Sequence, residues 1–242
     1  MTYCVSDIHG CFDEFMELLD KIDFKPDDTM HFLGDAIDRG PESIKCIQYI
    51  MKAPNIHMLM GNHEQFMLDA LTHEDEAFRE DVDEIWQDYN GGNVTYRQYK
   101  ALPESERKEI LDFIAALPYT AVVNMRSKKY FLVHAGLDCK GRLPGEHLPT
   151  TVKRQRSGYP KDMLWIREDF FLKKALPSYT VIFGHTPTSY MSPYETRPSI
   201  WHDGVYKDKI GIDCGCYRSG CLAALRLDDL EEFYVQSKLP RY

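Results

Sequence analysis

The chain has 242 residues, 43% of them hydrophobic, which suits one domain with a well-buried core. Its net charge of −9 argues against general nucleic-acid binding, because a polyanionic partner calls for a basic footprint. No apolar run approaches the ~20 residues of a membrane span, and the opening "MTYCVSDIHG" carries neither a basic region nor an apolar signal core, so a cytoplasmic protein without a membrane partner is expected. The seven cysteines follow neither zinc-ribbon nor C-x-x-C spacing and read as reduced, buried thiols.

In chain order, "YCVSDIHG" (3–10) is a short strand that stops at Asp7 and His9. "CFDEFMELLDKI" (11–22) follows with Phe12, Phe15, Met16, Leu19 and Ile22 on one helical face, and with Asp13 and Glu14 near its N-terminus, where carboxylates suit the dipole. "MHFLGDAIDRG" (30–40) is a second strand, ending in Asp35, Asp38 and Arg39. "PESIKCIQYIM" (41–51) predicts a helix with Pro41 as its first residue. "IHMLMGNHE" (56–64) is a strand that ends on Asn62 and His63. Residues 73–90 hold eight acids and a single arginine, Arg79, and 73–89 reads as a helix or helical excursion with a solvated face. "PESERKEILDFIAAL" (103–117) sets Ile110, Ile114 and Leu117 at helical spacing. "KYFLVHAGL" (129–137) stops at His134, and "YTVIFGHTP" (179–187) at His185. Between them, 138–163 is rich in Pro, Gly and bases: Lys140, Arg142, Lys153, Arg154, Arg156 and Lys161 against three acids. It predicts a long basic loop, and a loop of that length is usually functional or mobile.

Short apolar runs alternating with amphipathic helices predict an α/β layered fold. Each of five strands stops at a donor atom with a glycine beside it. In open α/β sheets ligands bind beyond the carboxyl ends of the strands, so these tips are expected to converge. The donors are carboxylates, imidazoles and one amide, with no thiolate. That set suits Mn²⁺, Fe or Zn²⁺ rather than a structural zinc cage. It exceeds what one tetrahedral ion uses and matches two ions sharing a bridging carboxylate, an arrangement that drives displacement at phosphorus. His31, His57, His73, His147 and His202 read as ordinary turn or surface residues.

"SDIHG", "GDAIDRG", "GNHE", "VHAGL" and "GHTP", in that order, resemble the binuclear metallophosphoesterases, in particular the small phage and bacterial members of the phosphoprotein phosphatase branch. "YNGGNVT" (89–95), "LWIRE" (164–168) and the closing "IGIDCGCYRSGCLAALRLDD" extend the similarity over residues 3 to about 229. Ser6 stands where that family usually has glycine. The resemblance implies the calcineurin-like fold, two packed mixed β-sheets flanked by helices in a four-layer α/β/β/α sandwich. It implies two divalent ions per chain, Mn²⁺ foremost with Fe, Zn²⁺ or Mg²⁺ as options. Asp7, His9 and Asp35 would hold the first; Asp35, Asn62, His134 and His185 the second, with Asp35 bridging and a metal-bridging water as the attacking group. His63 would then face the leaving oxygen as general acid, with Asp38 fixing its tautomer. Arg39 and Arg167 would bind phosphoryl oxygens, a task that suits a planar guanidinium.

Two substrates are expected from this: a phosphorylated protein or peptide, cleaved by a serine/threonine or dual-specificity phosphatase, and a dinucleoside polyphosphate such as diadenosine tetraphosphate. The intact "GNHE" and the short stretch after Asp229 favour the protein phosphatase. A non-catalytic scaffold of the same fold is disfavoured, because every expected ligand is present.

Overall fold

The computed structural model describes residues 1–125, 128–138, 161–192 and 197–239. Two five-stranded sheets carry the fold. The first holds β1 (Thr2–Val5), β2 (Thr29–Phe32), β3 (Ile56–Met58), β9 (Cys221–Arg226) and β10 (Glu232–Gln236), in the order β10-β9-β1-β2-β3. The second holds β4 (Thr120–Met125), β5 (Lys128–Val133), β6 (Thr180–Phe183), β7 (Trp201–His202) and β8 (Lys209–Gly211), in the order β4-β5-β6-β8-β7. Both are mixed. β1, β2 and β3 run parallel, as do β5, β6 and β8; antiparallel strands close both edges of the second sheet and the β10 edge of the first, whose other edge is the parallel β3. Three parallel strands from each sheet therefore end toward one rim.

Side-chain alternation explains the layering. On β1, Cys4 faces the other sheet while Tyr3 and Val5 face helices; on β5, Tyr130 and Leu132 face inward while Phe131 and Val133 face out. The inter-sheet core is built from Leu33, Leu132, Ile182, Ile210, Ala223 and Leu225, all buried. Each such Leu or Ile contributes ~1.5–3 kcal/mol relative to exposure. Helices α1 (Phe12–Lys21) and α2 (Ser43–Lys52) cover the first sheet through Phe15, Leu18 and Ile47. Short helices α7 (Lys161–Trp165) and α8 (Glu168–Phe171) cover the second through Met163 and Phe170. The four-layer sandwich is as expected.

One element differs from the sequence reading and one agrees with it. Pro41 does not open α2; Glu42 is the N-cap residue, because its backbone N–H is drawn to Gly10 O at 3.0 Å, tying the helix entry to the first strand's loop. The acidic stretch forms α4 (Glu76–Glu84) and then a π turn at Ile85–Tyr89. It is largely exposed, yet Val82 and Trp86 are buried. Helices α3 (Asn62–Thr72), α5 (Gly92–Lys100) and α6 (Glu104–Ala115) complete this side, with Ile110 and Ile114 in the core. The short α9 (Thr188–Met191) follows β6.

Candidate metal centre

The loops after the parallel strands are held in an unusual backbone state. Asp7, His9, Asp35, Asp38, Arg39 and His185 all have positive φ, from 44° at His9 to 73° at Asp38. A non-glycine residue there costs about 1–3 kcal/mol, so the surroundings must enforce it. They do so with cross-loop hydrogen bonds: Asp7 N–H to Gly34 O, His9 N–H to Asp35 O and Gly184 N–H to His134 O. Glu64 adds a further clamp. It is buried in the first turn of α3, and its carboxylate accepts from the backbone N–H groups of Asp35 (2.8 Å), Ala36 (2.8 Å) and Ile37 (3.3 Å). Gly61 is required by this packing, since a Cβ there would lie 2.3 Å from Asp35 Oδ1.

All six expected donors are buried at this rim: Asp7, His9, Asp35, Asn62, His134 and His185. Donor atoms of His9, Asp35 and His63 lie within 4.8 Å of one another, and so do those of Asp35, His134 and His185. Asp35 belongs to both groups. Asp7 belongs to neither: its carboxylate accepts the His185 N–H at 3.0 and 3.1 Å and the Ser6 hydroxyl. The tight group around His9 thus contains His63, where the sequence reading placed Asp7.

The tautomers test whether a metal fits. His9 and His134 point Nδ1 at the carbonyls of Ile37 (2.9 Å) and Leu33 (2.7 Å), and His63 points Nδ1 at Asp38 Oδ2 (2.6 Å). Each acceptor fixes the proton on Nδ1, so each Nε2 offers a lone pair. His134 Nε2 then faces Asn62 Oδ1 at 2.9 Å and Asp35 Oδ2 at 3.5 Å, lone pair against lone pair. His63 Nε2 and His185 Nε2 are buried and make no hydrogen bond to described residues. Burial holds all four imidazoles below their ordinary pKa, with Arg39 adding to the effect at His9 and His63. Burial also pushes Asp35 up to about 7 and Asp7 well above the carboxylate range, the latter helped by Asp213. Neutral imidazoles and desolvated carboxylates facing one another repel unless a cation lies among them. The donor set fits divalent metal, held by nitrogen and oxygen alone.

His63 is held from behind. Asp38 Oδ2 also accepts the Trp86 indole N–H at 2.7 Å, and Asp38 Oδ1 accepts the Thr95 hydroxyl at 2.6 Å. Trp86 comes from the π turn of the acidic stretch, and Thr95 from α5. Gly92 makes room for the indole, since a Cβ there would lie 2.3 Å from Trp86 Nε1. The sequence reading missed Trp86, and gave Thr95 only as part of "YNGGNVT". It also missed Asp213, buried beyond β8, whose carboxylate accepts Gly215 N–H at 2.8 Å. Asp213 obeys the same pattern as the other tips: an apolar run that stops at a donor near a glycine.

Both expected arginines reach the centre. Arg39 donates from Nη1 to His9 Nε2 at 2.7 Å and stacks on Tyr217, 4.7 Å from the ring centroid. Arg167 donates from Nη1 to His185 O (3.2 Å) and Thr186 Oγ1 (3.1 Å). Among described residues neither forms an ion pair with a carboxylate. Both line a cavity of about 330 Å³ that opens onto Asp35 and Asn62 and has aromatic walls at Trp165 and Tyr217. Of the basic loop, Lys140, Arg142, Lys153, Arg154 and Arg156 lie outside the described residues.

Similarity to known proteins follows the same pattern. An asymmetrical bis(5'-nucleosyl)-tetraphosphatase of Halalkalibacterium halodurans is 27% identical, the match covering 98% of this chain and 94% of that protein. Serine/threonine-protein phosphatase 2 of Salmonella typhimurium is 26% identical over 93% of this chain and 92% of its own. The crystal structure of a proposed diadenosine tetraphosphatase superimposes with a TM-score of 0.61 at 19% identity, over 98% of this chain and 93% of its own, which shows the shared fold. The sequence model of the calcineurin-like phosphoesterases matches residues 2–213, from the first strand to the acid beyond the last parallel one, and the chain belongs to that family of metallophosphoesterases.

Proposed function

We propose that this metallophosphoesterase hydrolyses a dinucleoside polyphosphate of the diadenosine tetraphosphate type. The observation that carries this reading is the cavity itself. Cationic side chains and aromatic walls lie together beside the donor cluster, which suits a ligand that carries both phosphates and bases. The names of the tetraphosphatase relatives support it. The short stretch after Asp229 does not favour a protein phosphatase, because the match covers 94% of the tetraphosphatase relative as well.

In this reading Asp7, His9 and Asp35 would hold one divalent ion and Asp35, Asn62, His134 and His185 a second, Mn²⁺ foremost, with Asp7 turning away from its contact with the His185 N–H. When bound, the ions supply Lewis-acid stabilisation and lower the pKa of the attacking water. Arg39 and Arg167 fix the phosphoryl oxygens, each guanidinium offering two parallel N–H donors. His63, when protonated on Nε2 as well to give the imidazolium, would deliver that Nε2 proton to the leaving oxygen and return to the neutral Nδ1–H form. Asp38 holds its Nδ1–H and favours the imidazolium against burial and Arg39. Asn62 contributes an oxygen without a negative charge, so it does not repel the incoming phosphate.

A second reading, a phosphoprotein phosphatase, is supported by the similarity to serine/threonine-protein phosphatase 2 across almost both chains. Side-by-side kcat/KM values for diadenosine tetraphosphate and for a phosphoserine peptide, on Mn²⁺-loaded protein, decide between them. A preference of tenfold or more for the peptide would overturn the first.

A further inference from the structure

A third arginine reaches the same cavity, from its outer wall. Arg218 lies in the turn that follows Asp213, a 3₁₀ segment at Cys216–Arg218 between two left-handed residues, Gly215 and Ser219. It is exposed, yet its guanidinium is directed by contacts on two sides. Nε donates to the Tyr217 hydroxyl at 2.9 Å, and Nη1 donates to the Tyr190 hydroxyl at 3.3 Å. Its carbon lies 5.4 Å from the centroid of the Tyr217 ring. These partners are neutral phenols, so they orient the guanidinium without cancelling its charge. Among described residues no carboxylate pairs with it.

Tyr217 also carries Arg39 at 4.7 Å from the same centroid, and its ring meets His9 edge to face at 5.4 Å. One ring thus holds the inner and the outer guanidinium, which are no farther apart than the sum of their two distances to it. A phosphomonoester offers one phosphoryl group, and Arg39 and Arg167 beside the metal donors already meet it. A guanidinium on the outer wall finds a matching anion where the substrate continues outward with further phosphates.

We propose that Arg218, set by Tyr217 and Tyr190, is a specificity-determining residue that binds a phosphate beyond the scissile one and so selects a polyphosphate chain over a monoester. This deepens the tetraphosphatase reading and rests on it for the nucleoside ends, but the phosphate contact can be tested without them. Arg218 is exposed, so its contact with a phosphate is expected to be modest, read as a change in affinity of up to about tenfold.

The experiment compares wild type with Arg218→Ala, Arg218→Lys and Tyr190→Phe. Inorganic tripolyphosphate and orthophosphate serve as competitive inhibitors of p-nitrophenyl phosphate hydrolysis, and their binding is also measured by titration calorimetry. Arg218→Ala is expected to weaken tripolyphosphate about tenfold relative to orthophosphate. Arg218→Lys should restore part of the difference, since it keeps the charge without the fork, and Tyr190→Phe should lose about twofold to threefold through misorientation. A ratio of tripolyphosphate to orthophosphate affinity that stays at the wild-type value in Arg218→Ala and in Tyr190→Phe overturns the proposal. The KM ratio between diadenosine tetraphosphate and p-nitrophenyl phosphate should shift in parallel. If the tripolyphosphate arm shifts while diadenosine tetraphosphate is not cleaved, the outer phosphate contact stands and the tetraphosphatase reading fails.

Discussion

Trp86 and His63 meet at one oxygen: the indole Nε1 lies 2.7 Å and the imidazole Nδ1 2.6 Å from Asp38 Oδ2. All three side chains are fully buried. The indole therefore fixes the carboxylate that fixes the imidazole, and a residue in an otherwise acidic, exposed stretch is coupled to an imidazole of the donor cluster. Replacing Trp86 by Phe keeps most of the ring and removes the N–H. A lost hydrogen bond to a charged acceptor costs ~1.5–3 kcal/mol, which for a chain of this size lowers Tm by about 3–10 °C. Turnover should fall about threefold to tenfold, and more for alkyl than for nitrophenyl leaving groups. Thermal unfolding and kcat across a leaving-group series check this. A stability loss with unchanged turnover would assign the orientation of Asp38 to Thr95 instead.

Asp35 is common to both groups of donor atoms, so it is the residue whose loss should affect the metal content most. Asp35→Asn is expected to lower bound Mn²⁺ per chain further than Asp7→Asn does, and to abolish activity. Elemental analysis after dialysis reads the first effect and phosphatase assays the second. Wild-type protein stripped with a chelator should be inactive and recover on adding Mn²⁺. Full turnover in chelated protein would remove the basis for a metal-dependent reaction.

Glu64 supports a prediction of a different kind, because its role is to hold backbone. Its two oxygens accept three N–H groups from Asp35, Ala36 and Ile37, and these lie in a loop where Asp35 and Asp38 have positive φ. Glu64→Gln puts an NH₂ against a backbone N–H, leaving at least one buried donor unpaired at ~1–3 kcal/mol. The expected result is a drop in Tm of about 2–10 °C together with weaker Mn²⁺ binding. Asp, which keeps the charge but is one methylene shorter, should not rescue either. Unchanged metal affinity in Glu64→Gln would mean that the loop is held by its own cross-strand bonds.

The strand tips were legible because each apolar run stops at a donor beside a glycine, a local pattern that needs no tertiary information. Asp213 has that pattern too, but its strand, β8, is only three residues long, and the run "KIGIDCG" is too short to stand out. Trp86 was hidden for another reason. Eight acids within 73–90 read as a solvated face, whereas Trp86 lies buried within a π turn at Ile85–Tyr89. The left-handed backbone at Asp7, His9, Asp35, Asp38, Arg39 and His185 was likewise invisible, since sequence signals for positive φ are mostly glycine and asparagine. Substrate preference was the least legible of all, because a donor cluster of this kind suits any phosphoester. The pairing of Asp38 with His63, by contrast, was expected from two motifs 25 residues apart and is found at 2.6 Å.

His63 can serve as an acid or as a metal ligand, and the geometry makes the two roles separable. Its Nε2 lies 3.9 Å from Asp35 Oδ2 and makes no hydrogen bond to described residues, while its Nδ1 is committed to Asp38. As a ligand, His63 would share an ion with His9 and Asp35, and its loss would lower metal content. As a general acid, it would leave metal content unchanged and lower turnover by roughly 10²–10⁴, the usual contribution of a positioned proton donor. His63→Asn should give the second result: bound Mn²⁺ retained, and a loss that is large for alkyl leaving groups and small for nitrophenolate, which needs no proton. Asp38→Asn should show a milder version, because the amide oxygen still accepts the Nδ1–H but no longer favours the imidazolium by its charge. Metal analysis beside kcat for the two leaving-group classes reads both. An equal loss for good and poor leaving groups, or loss of metal from His63→Asn, would move His63 from the acid's place to the ligand set.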